Sequence, residues 1–308
     1  MADPAARLVH IVDDVPELAG VEELTMVLVL TGFLDAGQAA DRAAQHLQDL
    51  SDGPVVATFD VDALHDYRAR RPPISFVQDH YERYDAPRLA VRLLRDGSGT
   101  PYLLMRGPEP DIRWEAFAVA VREVVERLNV TRVVNLGAVP MAVPHTRPIA
   151  VTFHANQPGL ITGDSPWRGE LRVPSSAQAL LEVRLGEWGH PALGYVAHVP
   201  HYLASMTYPV ASVSLLEHLE IGGRLSVDLT DLRQAAVDCE DEITGYLEGN
   251  QEVVEVVGAL EQQYDAFQRA ESTGANLLAA DEDLPTGEDL GRQFEQFLAG
   301  LDDDDDQR

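Results

Sequence analysis

Leu24–Leu30 reads Leu-Thr-Met-Val-Leu-Val-Leu, an apolar run without alternation. A helix with a wet face would interrupt it every three or four residues, and a strand wet on one side would alternate. A short, continuous run of this kind reads as a strand buried on both faces, which needs helices above and below the sheet. It falls far short of the roughly 18 apolar residues of a membrane span.

The rest of the first 227 residues repeats the theme. Val55–Val61, Leu89–Leu94, Tyr102–Met105, Thr131–Leu136, Ile149–His154 and Ala192–Val199 read as strands. Ala36–Leu50, Arg113–Leu128, Ser175–Leu185 and Tyr208–Leu219 read as helices between them. Ser175 with Gln178 matches a capping box, and Gly222-Gly223 supplies a helix stop. The alternation predicts an α/β fold with a largely parallel sheet.

Near Asp228 both pattern and charge change. Residues 1–227 hold 19 Arg against 28 acids, a net of −9, while residues 228–308 hold 4 Arg against 23, a net of −19. Leu229, Leu232, Ala236, Cys239, Ile243 and Tyr246 form one helical stripe, and Val253, Val257, Leu260, Tyr264 and Phe267 form another. Gly249-Asn250 lies between them, so an αα-hairpin with facing seams is expected. The chain is therefore divided into a 1–227 α/β core, a 228–271 acidic helical hairpin, a 272–301 linker and C-terminal helix capped by Thr286 and Asp289, and a 302–308 disordered acidic tail.

Charge also excludes functions. The net charge is −28, all 23 basic residues are Arg, and no Lys occurs. Nucleic acid is not an expected partner, because the field repels phosphate. Schiff-base chemistry and a P-loop lysine are absent. One cysteine, Cys239, precludes an internal disulfide or a structural Cys-zinc site, and its apolar seam makes it core rather than nucleophile. Met1-Ala2-Asp3-Pro4 shows no basic, apolar leader, so a cytoplasmic protein without membrane attachment is expected.

Four segments carry chemistry. Thr31–Gly37 (TGFLDAG) follows the first strand without a dinucleotide fingerprint, and Asp35 reads as a helix cap or as a ligand. Arg106–Trp114 (RGPEPDIRW) joins a strand to a helix. There Asp111 can cap the helix, and Glu109 either pairs with Arg113 or serves as acid or base at a strand end. Gly137–Pro148 (GAVPMAVPHTRP) is stiffened by three prolines and presents His145, Thr146 and Arg147, as an anion pocket or as a subunit contact. His198-Val199-Pro200-His201-Tyr202 spaces two histidines by three, but Pro200 breaks the helix that would align them, so no metal site is expected. His201 and Tyr202 would share the sheet edge with His145. The candidate pocket thus comprises Asp35, Glu109, Arg113, His145, Thr146, Arg147, His201 and Tyr202. No G-x-S-x-G elbow, Walker sequence or kinase signature occurs, so no catalytic residue and no cofactor is assigned.

GFLDAG (32–37), RGPEPDIRW (106–114), GAVPMAVPHTRP (137–148) and LPTGEDL…FEQFL (284–298), in that order, resemble the bacterial, actinobacterial-type branch of the proteasome assembly chaperone 2 family. The resemblance spans nearly the whole chain. It implies a fold similar to purine nucleoside phosphorylases and peptidyl-tRNA hydrolase-like proteins, a phosphorylase/hydrolase-like mixed sheet flanked by helices. It also implies self-association, commonly as trimers, and relatives that assist assembly of proteasome α-subunit rings. The chain ends Asp306-Gln307-Arg308 rather than in the hydrophobic-Tyr-X tail expected of archaeal relatives, so docking through such a tail is not expected.

The leading expectation is a non-enzymatic assembly or interaction protein, a homo-oligomer whose acidic layer attracts a basic surface, with proteasome subunits as candidate partners. The alternative is a phosphorylase-like enzyme in which Arg113 or Arg147 holds an anion and His145 or Glu109 moves a proton. A third reading makes the proline-rich loops purely structural subunit contacts.

Overall fold

The computed structural model describes residues 8–161, 170, 172–247 and 251–272. The linker, last helix and acidic tail expected beyond residue 272 lie outside them. Chain contacts divide into two units, Met1–Leu260 and Glu261–Arg308.

The first unit is built on an eight-stranded sheet. Its strands are β1 (Val9–Ile11), β2 (Thr25–Thr31), β3 (Val55–Phe59), β6 (Ala90–Arg95), β7 (Pro101–Pro108), β8 (Arg132–Met141), β9 (Val151–Ala155) and β10 (Ala192–Pro200). β4 (Ile74–Val77) and β5 (His80–Tyr84) pair only with each other. The helices are α1 (Ala39–Leu50), α2 (Trp114–Arg127), α3 (Ala177–Glu187), α4 (Pro209–Gly223), α5 (Thr230–Leu247) and α6 (Gln251–Ser272).

Strand order is β1-β3-β6-β7-β2-β8-β10-β9. The apolar run is β2, near the middle, and it is buried on both faces as expected: Met26 and Leu28 pack on the α2/α3 side, Val27 and Val29 on the α1/α4 side. Ala39, Ala40, Ala43 and Ala44 give α1 a flat buried stripe that lies close against this second face. α4 is apolar around much of its girth because it packs on α1, α5 and the sheet.

The largely parallel sheet is corrected to a mixed one. β7, β2, β8 and β10 run parallel, but β1–β3, β3–β6, β6–β7 and β10–β9 are antiparallel. The clue lay in loop length: only Asp96–Thr100 separates β6 from β7, too few residues for a crossover. β8 also runs on to Met141, through part of the expected loop. β2 pairs with β8 only as far as Asn135, so Pro140 occupies a stretch open on that side.

Three capping expectations change. The side chain that caps α3 is Ser176, accepting from Ala179 N–H at 3.0 Å, and not Ser175; Gln178 instead donates to Leu136 O. Gly222 and Gly223 lie inside α4, and Arg224 takes the left-handed position beyond it. Asp111 does not cap α2; it pairs with Arg70 at 2.7 Å and accepts from Asp66 N–H at 2.7 Å, clasping the 61–70 loop. Leu229, just before α5, and Leu232 and Ile243 of α5 join the core beneath α4, and Cys239 packs against that same core.

Candidate functional site

Parallel strands end on one edge of a sheet, and the chain segments that follow β2, β7, β8 and β10 meet there. The meeting is largely backbone. Ala138 N–H donates to Leu34 O at 3.0 Å, Gly37 N–H to Ala204 O at 2.7 Å, Tyr208 N–H to Gly37 O at 2.8 Å and Glu109 N–H to Thr31 O at 2.9 Å. Gly37 has φ +66, and a Cβ there would stand 2.9 Å from that of Tyr208, so only glycine lets the β2 and β10 loops interlock.

Asp35 takes the cap role, not with Gln38 as a capping box but by reaching into α1. Its Oδ1 accepts from Ala40 N–H at 2.8 Å and Asp41 N–H at 3.3 Å. Burial outweighs those bonds and pushes its carboxyl from the ordinary 3.8 up to about 6. The folded state then holds a proton that the unfolded chain releases, so stability falls as pH rises from about 4 to about 6. Asp35→Asn keeps an acceptor and removes this cost. It should stabilise the protein by about 1–2 kcal/mol more at pH 8 than at pH 4, the full shift being discounted for partial exposure. Thermal melts at the two pH values check it, and equal effects at both would contradict it.

Glu109 does not pair with Arg113. Its Oε1 accepts from Ala177 N–H, at the start of α3, at 2.7 Å, and its Oε2 from Phe33 N–H at 3.4 Å. Arg70 donates to its carbonyl. Glu109 therefore ties three separate segments together. Arg113 sits at the left-handed position before α2 (φ +61), is exposed and makes no ion pair among the described residues.

His145, His201 and Tyr202 do come together. His145 N–H donates to the Tyr202 hydroxyl at 2.9 Å, and its Nδ1 lies 2.7 Å from that oxygen. Both imidazoles stand edge-on to the Tyr202 ring, with centroids at 5.9 and 5.4 Å. Thr146 and Arg147 follow on the same loop, and Arg147 donates to Thr146 O at 3.3 Å. Neither Asp35, Glu109 nor Arg113 is a hydrogen-bond partner of this cluster. Seven of the eight residues thus fall into an aromatic–imidazole group with its loop, a carboxylate knot and a helix cap, and Arg113 stands apart from all three. His198, expected on the preceding strand, faces Thr152 Oγ1 at 2.8 Å, and burial lowers its pKa. Among the described residues no three His, Cys, Asp or Glu side chains gather as metal ligands, and no helix is long and apolar enough to cross a membrane.

A cleft of about 1110 Å³ lies elsewhere, over β3 and β6, with Arg88, Arg92 and Arg106 in its lining. The motif reading passed it by. Its available signal was compositional: residues 66–106 hold eight Arg against five acids, the reverse of the chain's balance.

The PAC2 family model matches residues 29–246, across all four loops of this rim. No curated protein matches the chain. Among solved structures, the unknown function protein Rv2714 of Mycobacterium tuberculosis is 43% identical, with TM-score 0.83 and 87% of this chain and 92% of that one covered. A protein of unknown function from Corynebacterium glutamicum is 35% identical, with TM-score 0.81 and 88% and 100% covered. The Mycobacterium tuberculosis proteasome-assembly chaperone homologue Rv2125 is 30% identical, with TM-score 0.67 and 76% and 100% covered. Taken with the mixed sheet and its interlocked rim, these matches establish that the chain belongs to the PAC2 family.

Proposed function

We propose that this protein is a non-enzymatic assembly or interaction protein, working in the cytoplasm as a homo-oligomer, a trimer, and engaging the basic surface of another protein. The observation that carries this reading is what the rim's acids do. Asp35 and Glu109 are occupied by backbone N–H groups that hold loops and helix ends in place, an architectural use rather than that of a free acid–base pair. The similarity to a proteasome-assembly chaperone homologue adds support and makes proteasome α-subunits the first partner to try. The acidic segment from residue 228 onward, with a net charge of −19, supplies the attraction.

Self-association has its own support. β4 and β5 form an isolated hairpin exposed almost throughout, with Phe76 61% and Tyr81 69% exposed and their rings 5.1 Å apart. A two-stranded hairpin is marginal in water, and aromatic side chains presented this way call for a covering surface. A second copy of the chain is that surface.

The client reading predicts capture of proteasome α-subunits by the immobilised full chain at about 50 mM salt, with loss of capture at about 500 mM as the charges are screened. No capture at low salt, or capture indifferent to salt, would count against it. The phosphorylase-like reading stands second. It needs Arg113 or Arg147 to hold an anion with His145 as proton carrier, and the exposed, ion-pair-free Arg113 is its support.

A further inference from the structure

The helices of the α1/α4 side cover β7, β2, β8, β10 and Leu94 at the end of β6, but leave Val55 and Thr58 of β3 and Ala90 and Arg92 of β6 lining an open cleft. Side chains alternate along these strands, so Val91 and Leu93 enter the core on the α2/α3 side while Ala90 and Arg92 point the other way. With Val55 and Thr58 they floor the 1110 Å³ cleft, which Gln48 of α1 bounds on one side and Tyr67, Tyr84 and Arg88 on the other.

The electrostatics of this cleft run against the rest of the chain. Three arginines (Arg88, Arg92 and Arg106) against two acids (Asp60 and Asp62) line it, in a chain of net −28. Arg106 is spent on Asp41, Gln45 and Gln48. Arg92 makes one bond, to Gly53 O at 2.9 Å, and no ion pair, and exposed Arg88 makes no ion pair either, among the described residues. Two guanidiniums therefore line the cleft without an ion pair among the described residues, although acids outnumber arginines more than twofold overall. Asp60 and Asp62 also line it, and Asp62 accepts from the Tyr67 hydroxyl.

We propose that this cleft binds an acidic polypeptide segment, with carboxylates on Arg88 and Arg92 and an apolar residue against Tyr84 and Val55. Guanidinium pairs carboxylate bidentately, and the mixed apolar floor suits side chains more than a bare ion. Two available arginines in so acidic a chain do not suit a nucleic acid, which requires broad neutralisation. This surface is built from residues of the first unit alone and does not depend on the client reading above.

The test is fluorescence anisotropy on the full-length protein with a fluorescein-labelled peptide of about ten alternating Glu and Phe residues at low salt. Saturable binding is expected, weakened about tenfold or more by Arg88→Ala with Arg92→Ala and unchanged by Arg127→Ala on the opposite face. The double variant should keep the wild-type melt and the wild-type mass in solution, which separates this site from hairpin-mediated assembly. Millimolar inorganic phosphate should not displace the peptide. Absent binding, equal binding by the double variant, full displacement by phosphate, or equal affinity for an RNA oligonucleotide of the same charge would each overturn the proposal.

Discussion

Replacing Gly107 by alanine is expected to lower the melting temperature by roughly 10 °C or to prevent soluble expression, a loss of about 3–5 kcal/mol. A Cβ at this position would lie 2.3 Å from Arg88 O and 2.6 Å from Leu89 Cα. Both are backbone atoms, so no rotamer change relieves the collision. The position is also pinned, because β7 is hydrogen-bonded to β6 on one side and to β2 on the other. Displacing Gly107 would drag Pro108 and Glu109 with it, and with them the bonds to Phe33 and Ala177 that hold two neighbouring segments. The opposite sign is expected for Gly245→Ala, inside α5 with open space at its Cβ, where better helix propensity adds about 0.5–1 kcal/mol. Thermal and denaturant melts of both variants check the pair; a Gly107→Ala protein within about 1 kcal/mol of wild type would refute the close-approach argument.

The second large effect concerns assembly. Phe76→Ser combined with Tyr81→Ser should reduce the proposed trimer to the 33.7 kDa monomer, read by light scattering on a sizing column. Both side chains are more exposed than buried within one copy, and among the described residues their ring contact is with each other. Removing them therefore costs the isolated fold little, while a subunit interface would lose its aromatic anchors. An unchanged mass would place the subunit contact elsewhere, and the proline-rich loop bearing His145 and Arg147 would be the next surface to alter.

Local pattern carried much of the architecture. The unbroken apolar run at Leu24–Leu30 fixed a central strand, and the spacing of apolar residues located α1 to α6, because burial on a helix or strand repeats with the backbone's own period. The motifs in order pointed to the family; those at 32–37, 106–114 and 137–148 mark the ends of β2, β7 and β8, and the fourth lies outside the described residues. β4 and β5 escaped this reading because their side chains are exposed on both faces and leave no core signature.

Partner choice across the chain was beyond local pattern. Glu109 looked matched to Arg113 four residues on, yet its oxygens meet Phe33 and Ala177, 76 and 68 residues away. The left-handed backbone at Arg113 starts α2 there, while the β2–β7 pairing brings Phe33 to the same strand end. The sequence determined which segments are strands, which are helices and which turns are rigid, because those follow from neighbours along the chain. Strand order, the antiparallel wing with its arginine-lined cleft, and the separation of the candidate residues from one another were decided by tertiary structure. Those depend on which distant hydrogen-bonding edges close on one another, and periodicity along the chain carries no record of that choice.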